Sequence, residues 1–162
     1  IGTSTEMIQG QFNLTKIGNE EVVNGDFATD SDWGKGTGWT ISGGTANFDS
    51  VGQVSNSLLQ QSLGINISGI SNIDFTEGEN TYYWNNGSLN FKLTFTFTRT
   101  SGTNRIRVIS SGTILYFSAL NGDNLVGSID NVSVKEVRAT TVEASKCLAD
   151  AIHRIGIQDI QN

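Results

Sequence analysis

Along most of the chain apolar residues recur at every second position, the period of strands rather than of helices. Residues 90–100 show it most clearly, with Phe91, Leu93, Phe95 and Phe97 alternating with Lys92, Thr94, Thr96 and Thr98. One face is greasy and the other is mostly threonine, the pattern of a strand half-buried against a core. Trp39-Thr40-Ile41-Ser42, Gly43-Gly44 and Thr45-Ala46-Asn47-Phe48 read as a hairpin, because two glycines supply the positive φ of a primed turn. Further strands are expected at residues 21–23, 56–63, 104–109, 113–117 and 128–137, with Gly-, Asn- and Ser-rich turns between them. Many short strands without helical patterns among them predict an all-β, antiparallel sandwich or barrel.

The two ends depart from that period. Residues 1–20 carry Ile8, Phe12, Leu14 and Ile17 as their main apolar anchors and read as a connector arm that adds a strand or lies on a neighbour. Beyond Arg138, Thr140 or Thr141 suits a helix cap, Glu143 its first turn, and Ala144, Leu148, Ala151, Ile152 and Ile155 fall three and four apart before Gly156. This predicts a short C-terminal α-helix whose apolar stripe is buried on its own sheet or on a partner. The expected organisation is thus an arm (1–20), a sandwich (21–138) and a helical attachment segment (139–162). Leu148, Ala151, Ile152 and Ile155 form the candidate oligomerisation stripe.

Composition narrows the function. The 162 residues carry a formal charge of −6, which opposes the phosphate neutralisation that drives non-specific nucleic-acid binding. Charged residues are 16% of the chain against roughly 25% in an average globular protein, so the polar surface is built from Gly, Asn, Ser and Thr. No apolar run approaches the ~18 residues a membrane-spanning helix needs. With one cysteine, Cys147, neither an intramolecular disulfide nor a thiolate zinc site is available, so stability rests on packing. The chain opens on Ile1 with its one methionine at Met7, and is read as a processed or partial polypeptide.

Catalytic chemistry finds little footing. His153 is the one histidine and falls in the expected helix, leaving no evident base for a serine or cysteine nucleophile. A carboxylate pair for glycoside hydrolysis would come from Asp26, Asp30, Asp32, Asp74, Glu77 and Glu79, but nothing in the spacing selects one. The chain is therefore expected to be no enzyme.

Two segments at opposite ends of the β region stand out together: Val22-Val23-Asn24-Gly25-Asp26-Phe27 and Gly127-Ser128-Ile129-Asp130-Asn131-Val132-Ser133-Val134-Lys135. Between them lie Trp33, Gly38-Trp39 and Ser57-Leu58-Leu59-Gln60-Gln61-Ser62-Leu63. With these motifs the chain resembles carbohydrate-binding-module-like jelly rolls, of the family 4/9 and galactose-binding-like type, that also occur in bacteriophage tail and virion proteins. Residues 21–137 carry the resemblance. It implies a jelly-roll sandwich whose first and last strands are neighbours, and a structural Ca2+ ion held by Asp26 and Asp130. The glutamate frequent after the family's phenylalanine is Ala28 here, so Asp30 and Asp32 are the further donors. Asp and Asn at these positions are equally what turns require.

Sugars stack their C–H faces on flat rings while amides and carboxylates bond the hydroxyls. Trp39, in phase with Ile41, is read as packing. The glycan-binding candidates are Trp33, in a Gly- and Asp-rich turn, and the run Tyr82, Tyr83, Trp84, Asn85 and Asn86. Three consecutive aromatics point to both faces of a strand, so at least one ring is expected outside the core.

The function expected from this is a non-enzymatic domain at the virion surface, in a tail fibre, head fibre or capsid decoration, that contacts host glycans. Its expected partners are other virion proteins, sister copies in a homo-oligomer (a trimer first) and a surface polysaccharide; nucleic acid and membrane insertion are not expected. The alternative is an extracellular one, a carbohydrate-binding module of a secreted glycoside hydrolase or a bacterial adhesin.

Overall fold

The computed structural model describes residues 16–52, 55–75, 77–101, 106–119 and 124–138. Residues 19–136 form one compact unit. The strands are β1 (Lys16–Glu20), β2 (Gly34–Lys35), β3 (Trp39–Ser42), β4 (Thr45–Asp49), β5 (Ser57–Ser62), β6 (Ile73–Phe75), β7 (Gly78–Asn85), β8 (Asn90–Ser101), β9 (Ile106–Ser111), β10 (Ile114–Ala119) and β11 (Val126–Arg138). No helix occurs among the described residues, and the strands form two antiparallel sheets, so the protein is an all-β sandwich. One sheet has the order β3-β4-β11-β8-β7, with β1 also paired to β11; the other has the order β2-β5-β10-β9-β6. The expected C-terminal helix and the first fifteen residues of the arm lie outside the described residues.

Alternation decides what fills the space between the sheets. Phe91, Leu93, Phe95 and Phe97 of β8 face Leu59 of β5, Ile106 and Val108 of β9, and Leu115 and Phe117 of β10, all of them buried. Rings bridge the layers: Phe95 meets Phe117 edge-on at 5.1 Å, Phe117 lies 6.2 Å from Trp33, and Trp33 lies 5.2 Å from Phe27. The hairpin forms where the residues place it, Gly43 and Gly44 both taking positive φ (64° and 76°) between β3 and β4. In β11 the alternation slips by one residue: Ile129 and Val132 are both buried, while Asn131 is exposed at φ 55°. This is a bulge at Asp130-Asn131, and asparagine tolerates the left-handed conformation it requires.

The strand expected at residues 21–23 is corrected. The regular strand is β1, at Lys16–Glu20, and residues 21–25 run irregularly beside β11. Side chains add to the few backbone bonds there. The Glu20 carboxylate accepts from Val22 N (3.2 Å) and Val134 N (2.9 Å) through Oε1, and from Ser133 Oγ (2.6 Å) through Oε2. Glu20→Ala leaves two partly buried amides without acceptors and is expected to lower unfolding free energy by about 1–3 kcal/mol in urea titrations. Glu20→Gln, which retains a carbonyl oxygen for both amides, is expected to cost less.

Candidate functional site

The opening and closing motifs meet. Val132 N donates to Gly25 O (2.8 Å) and Glu21 N to Val134 O (3.0 Å), so residues 21–25 lie against the end of β11. Asn24, at φ 53°, organises the loop that follows. Its Nδ2 donates to Thr29 O (2.7 Å) and Ser31 O (3.0 Å), and its carbonyl accepts from Trp33 Nε1 (3.0 Å) and Phe27 N (3.2 Å).

The acids named for a cation are engaged locally. Asp26 Oδ1 accepts from Ala28 N (3.4 Å), Asp130 Oδ1 from Asn131 N (2.6 Å), and Asp30 is ion-paired with Lys35. Asp32 accepts from the Ser31 hydroxyl. Among the described residues no three Asp, Glu, His or Cys side chains come together as a metal site would need. Asp26, Asp32 and Asp130 thus accept within their own turns, and Asp30 reaches Lys35.

Of the rings proposed to stack on sugar, two are core residues. Trp33 is 6% exposed, sealed by Phe27 and Phe117 and by its bond to Asn24 O. Trp84 is 7% exposed, with Nε1 donating to Ile67 O (3.3 Å) and its ring stacked on Phe91 at 5.0 Å. The half-buried Tyr82 stacks on Trp84 at 6.3 Å. The cause is strand phase: 82 and 84 point inward on β7, while 83 and 85 point outward. Tyr83, 54% exposed, is the one aromatic among the described residues with a largely open ring, and Lys92 Nζ sits 5.9 Å from its centroid. Asn85 Nδ2 donates to Asn90 Oδ1 (2.8 Å), and Asn86 Oδ1 accepts from Ser88 N (3.0 Å) and Leu89 N (2.9 Å), so both amides hold the β7–β8 turn. Trp39 is packed against Phe48 at 4.8 Å, as its phase with Ile41 predicts. The stripe Leu148, Ala151, Ile152 and Ile155, and His153, lie outside the described residues.

A second surface was not singled out from the sequence. On the outer face of the five-stranded sheet, Tyr116 of β10 stands between Gln60 of β5 and Ile109 of β9. The next row holds Leu58, Ser118, Arg107 and Asp74, one from each of β5, β10, β9 and β6. Arg107 is held in place, Nε donating to Asp74 Oδ1 (3.2 Å). Beside these rows opens a cavity of about 490 Å3 lined by Lys35, Thr37, Ser57, Leu58 and Gln60 among others. Gly34 and Gly36, on either side of Lys35, bring the backbone close against β5 at its wall. A Cβ at Gly34 would come within 3.0 Å of Gln60 Cγ, and one at Gly36 within 2.5 Å of Ser57 Oγ. Ser57 Oγ, on the cavity wall, is a buried hydroxyl with no hydrogen-bond partner among the described residues. The signal was present in the alternation of Leu115, Tyr116 and Phe117, which turns Tyr116 outward; its neighbours come from strands more than fifty residues away for Gln60.

No protein-family model, curated protein or solved structure matches the chain.

Proposed function

We propose that this sandwich is a non-enzymatic structural and adhesion domain of a phage particle, in a tail fibre, head fibre or capsid decoration, that contacts host-surface glycan. The observation that carries the glycan reading is the pair of rows on the five-stranded sheet. The half-buried Tyr116 offers a ring against which a pyranose C–H face stacks, the exposed Gln60 beside it offers an amide, and the guanidinium of Arg107 is oriented by Asp74. Arg107 and Lys35 are each ion-paired, with Asp74 and Asp30, which suits an uncharged sugar. The virion setting rests on the paired motifs around Asn24-Gly25-Asp26 and Asp130-Asn131-Val132. Many copies on one particle would turn weak single-site contacts into avidity.

Affinity electrophoresis through host-surface polysaccharide tests the reading. Tyr116→Ala and Gln60→Ala are expected to weaken retention about tenfold, as loss of ~1.4 kcal/mol implies, with melting temperatures near that of the parent for the exposed Gln60. Tyr83→Ala, on the opposite sheet, is expected to leave retention unchanged. Retention lost with Tyr83→Ala and kept with Tyr116→Ala would move the contact to the other face.

A further inference from the structure

An edge strand exposes a row of unpaired backbone donors and acceptors, and proteins blunt such edges by keeping them short, bulged, charged or covered. Three sheet edges here are short: β2 has two residues, β6 three and β3 four. β7 is different. It runs eight residues, Gly78–Asn85, with β8 its one partner among the described strands, and it contains no proline, no bulge and one charge, Glu79. The loop at 66–69 closes over its last turnward residues, Trp84 Nε1 bonding Ile67 O and a Cβ at Gly69 falling 3.3 Å from Asn85 O. Beyond this loop runs the stretch 78–83, whose one strand partner among the described residues is β8.

We propose that β7 pairs antiparallel with β7 of a second copy of this chain, about a two-fold axis at Thr81, the centre of residues 79–83. That register sets Tyr83 directly opposite Glu79 of the second copy. Because Lys92 is the cross-strand neighbour of Tyr83 and lies 5.9 Å from its ring centroid, each Tyr83 then has an ammonium on one side and a carboxylate on the other. The arrangement occurs twice by symmetry, and this self-complementarity selects a second copy over a foreign strand. The two six-stranded sheets become one continuous sheet, and their outer faces, with Thr81, Tyr83 and Thr94, remain in solvent. A two-fold pair is a different assembly from a trimer built on the C-terminal stripe, and it is independent of the glycan reading.

Paired Cα atoms across the axis lie ~4.5–5.5 Å apart, inside the range a disulfide bridges. Thr94 occupies the same row one strand further in, so its distance to Thr94 of the second copy is about three strand spacings, ~14 Å. In the full chain carrying Cys147→Ser, Thr81→Cys is expected to form covalent dimers on mild oxidation and Thr94→Cys to remain monomeric. By sedimentation equilibrium Glu79→Lys is expected to raise the dimer dissociation constant at least tenfold, and the charge swap Glu79→Lys with Lys92→Glu to restore it. A parent chain that stays monomeric up to ~100 μM overturns the proposal. So does a dimer that is indifferent to Glu79→Lys and does not cross-link at Thr81→Cys, because its interface then lies elsewhere.

Discussion

Gln61→Leu is expected to cost about 3–5 kcal/mol of unfolding free energy and to lower the melting temperature by roughly 10–20 °C, a large share of the 5–15 kcal/mol that typically holds a domain together. Leucine is close in volume and at home in a core, so the loss comes from hydrogen bonds. The Gln61 carboxamide, 5% exposed, behaves as a piece of strand: Oε1 accepts from Val23 N (2.9 Å), and Nε2 donates to Val23 O (2.8 Å) and Asp32 O (3.1 Å). It thereby adds to the few backbone bonds of the irregular segment at 21–25, and joins it to β5 and to the loop ending at Asp32. Removing the amide strands one donor and two acceptors, each partly buried. Gln61→Glu is the informative companion, since it keeps the acceptor for Val23 N but turns a carboxylate oxygen toward two carbonyls; it is expected to be no better than leucine at pH 7. Gln60→Leu, one residue away and pointing out, is expected to stay within ~0.5 kcal/mol. Urea titrations of the three variants check the ordering, with equal slopes indicating that only stability has changed.

The second large effect is expected at Gly25. A Cβ there would sit 2.0 Å from Val132 O and 3.1 Å from Val22 Cγ1, and the first contact is backbone that no rotamer change relieves. Gly25→Ala must therefore push residues 21–25 away from β11 and break the Val132 N to Gly25 O bond, for about 2–4 kcal/mol. Native-state hydrogen exchange gives a local readout besides the melting temperature, because the Val132 amide should lose protection ahead of the β8 amides. Gly43→Ala is the contrast. Its Cβ meets nothing within 4 Å, and its cost is only that of holding a β-carbon at positive φ, about 1–2 kcal/mol. A Gly25→Ala protein as stable as Gly43→Ala would show that the motifs do not rely on this close approach.

These two residues also explain why paired motifs are legible in the sequence without their role being so. Asn24-Gly25-Asp26 and Asp130-Asn131-Val132 suggest a cation site when read as a list of oxygen donors. In the fold the asparagines take left-handed turn and bulge conformations, the glycine admits a neighbouring backbone, and the aspartates accept from nearby amides or pair with Lys35 in the case of Asp30. The same holds for the aromatic candidates. Period two already implies that Tyr83 and its two neighbours face opposite ways, but whether the odd or the even set faces the core depends on where β8 lies.

Residue order alone determined the strands and their two faces, because alternation, glycine turns and the Gly43-Gly44 hairpin act over two to ten residues. It thereby determined an all-β antiparallel fold, sandwich or barrel, and placed β3, β4, β5, β8 and β10 within a few residues of where they lie. It gave no hold on β2 and β6, which are too short to carry a period, and it placed regular strand at 21–23 where Gln61 and Glu20 side chains add to a few backbone bonds. Tertiary structure decided which strands are neighbours, hence that Trp33 and Trp84 are buried, that Tyr116 stands between Gln60 and Ile109, and that β7 is left as the long edge. The physical reason is range: a side chain's face follows from its own strand, whereas the row it joins is set by strands that are near in space and far apart in the chain.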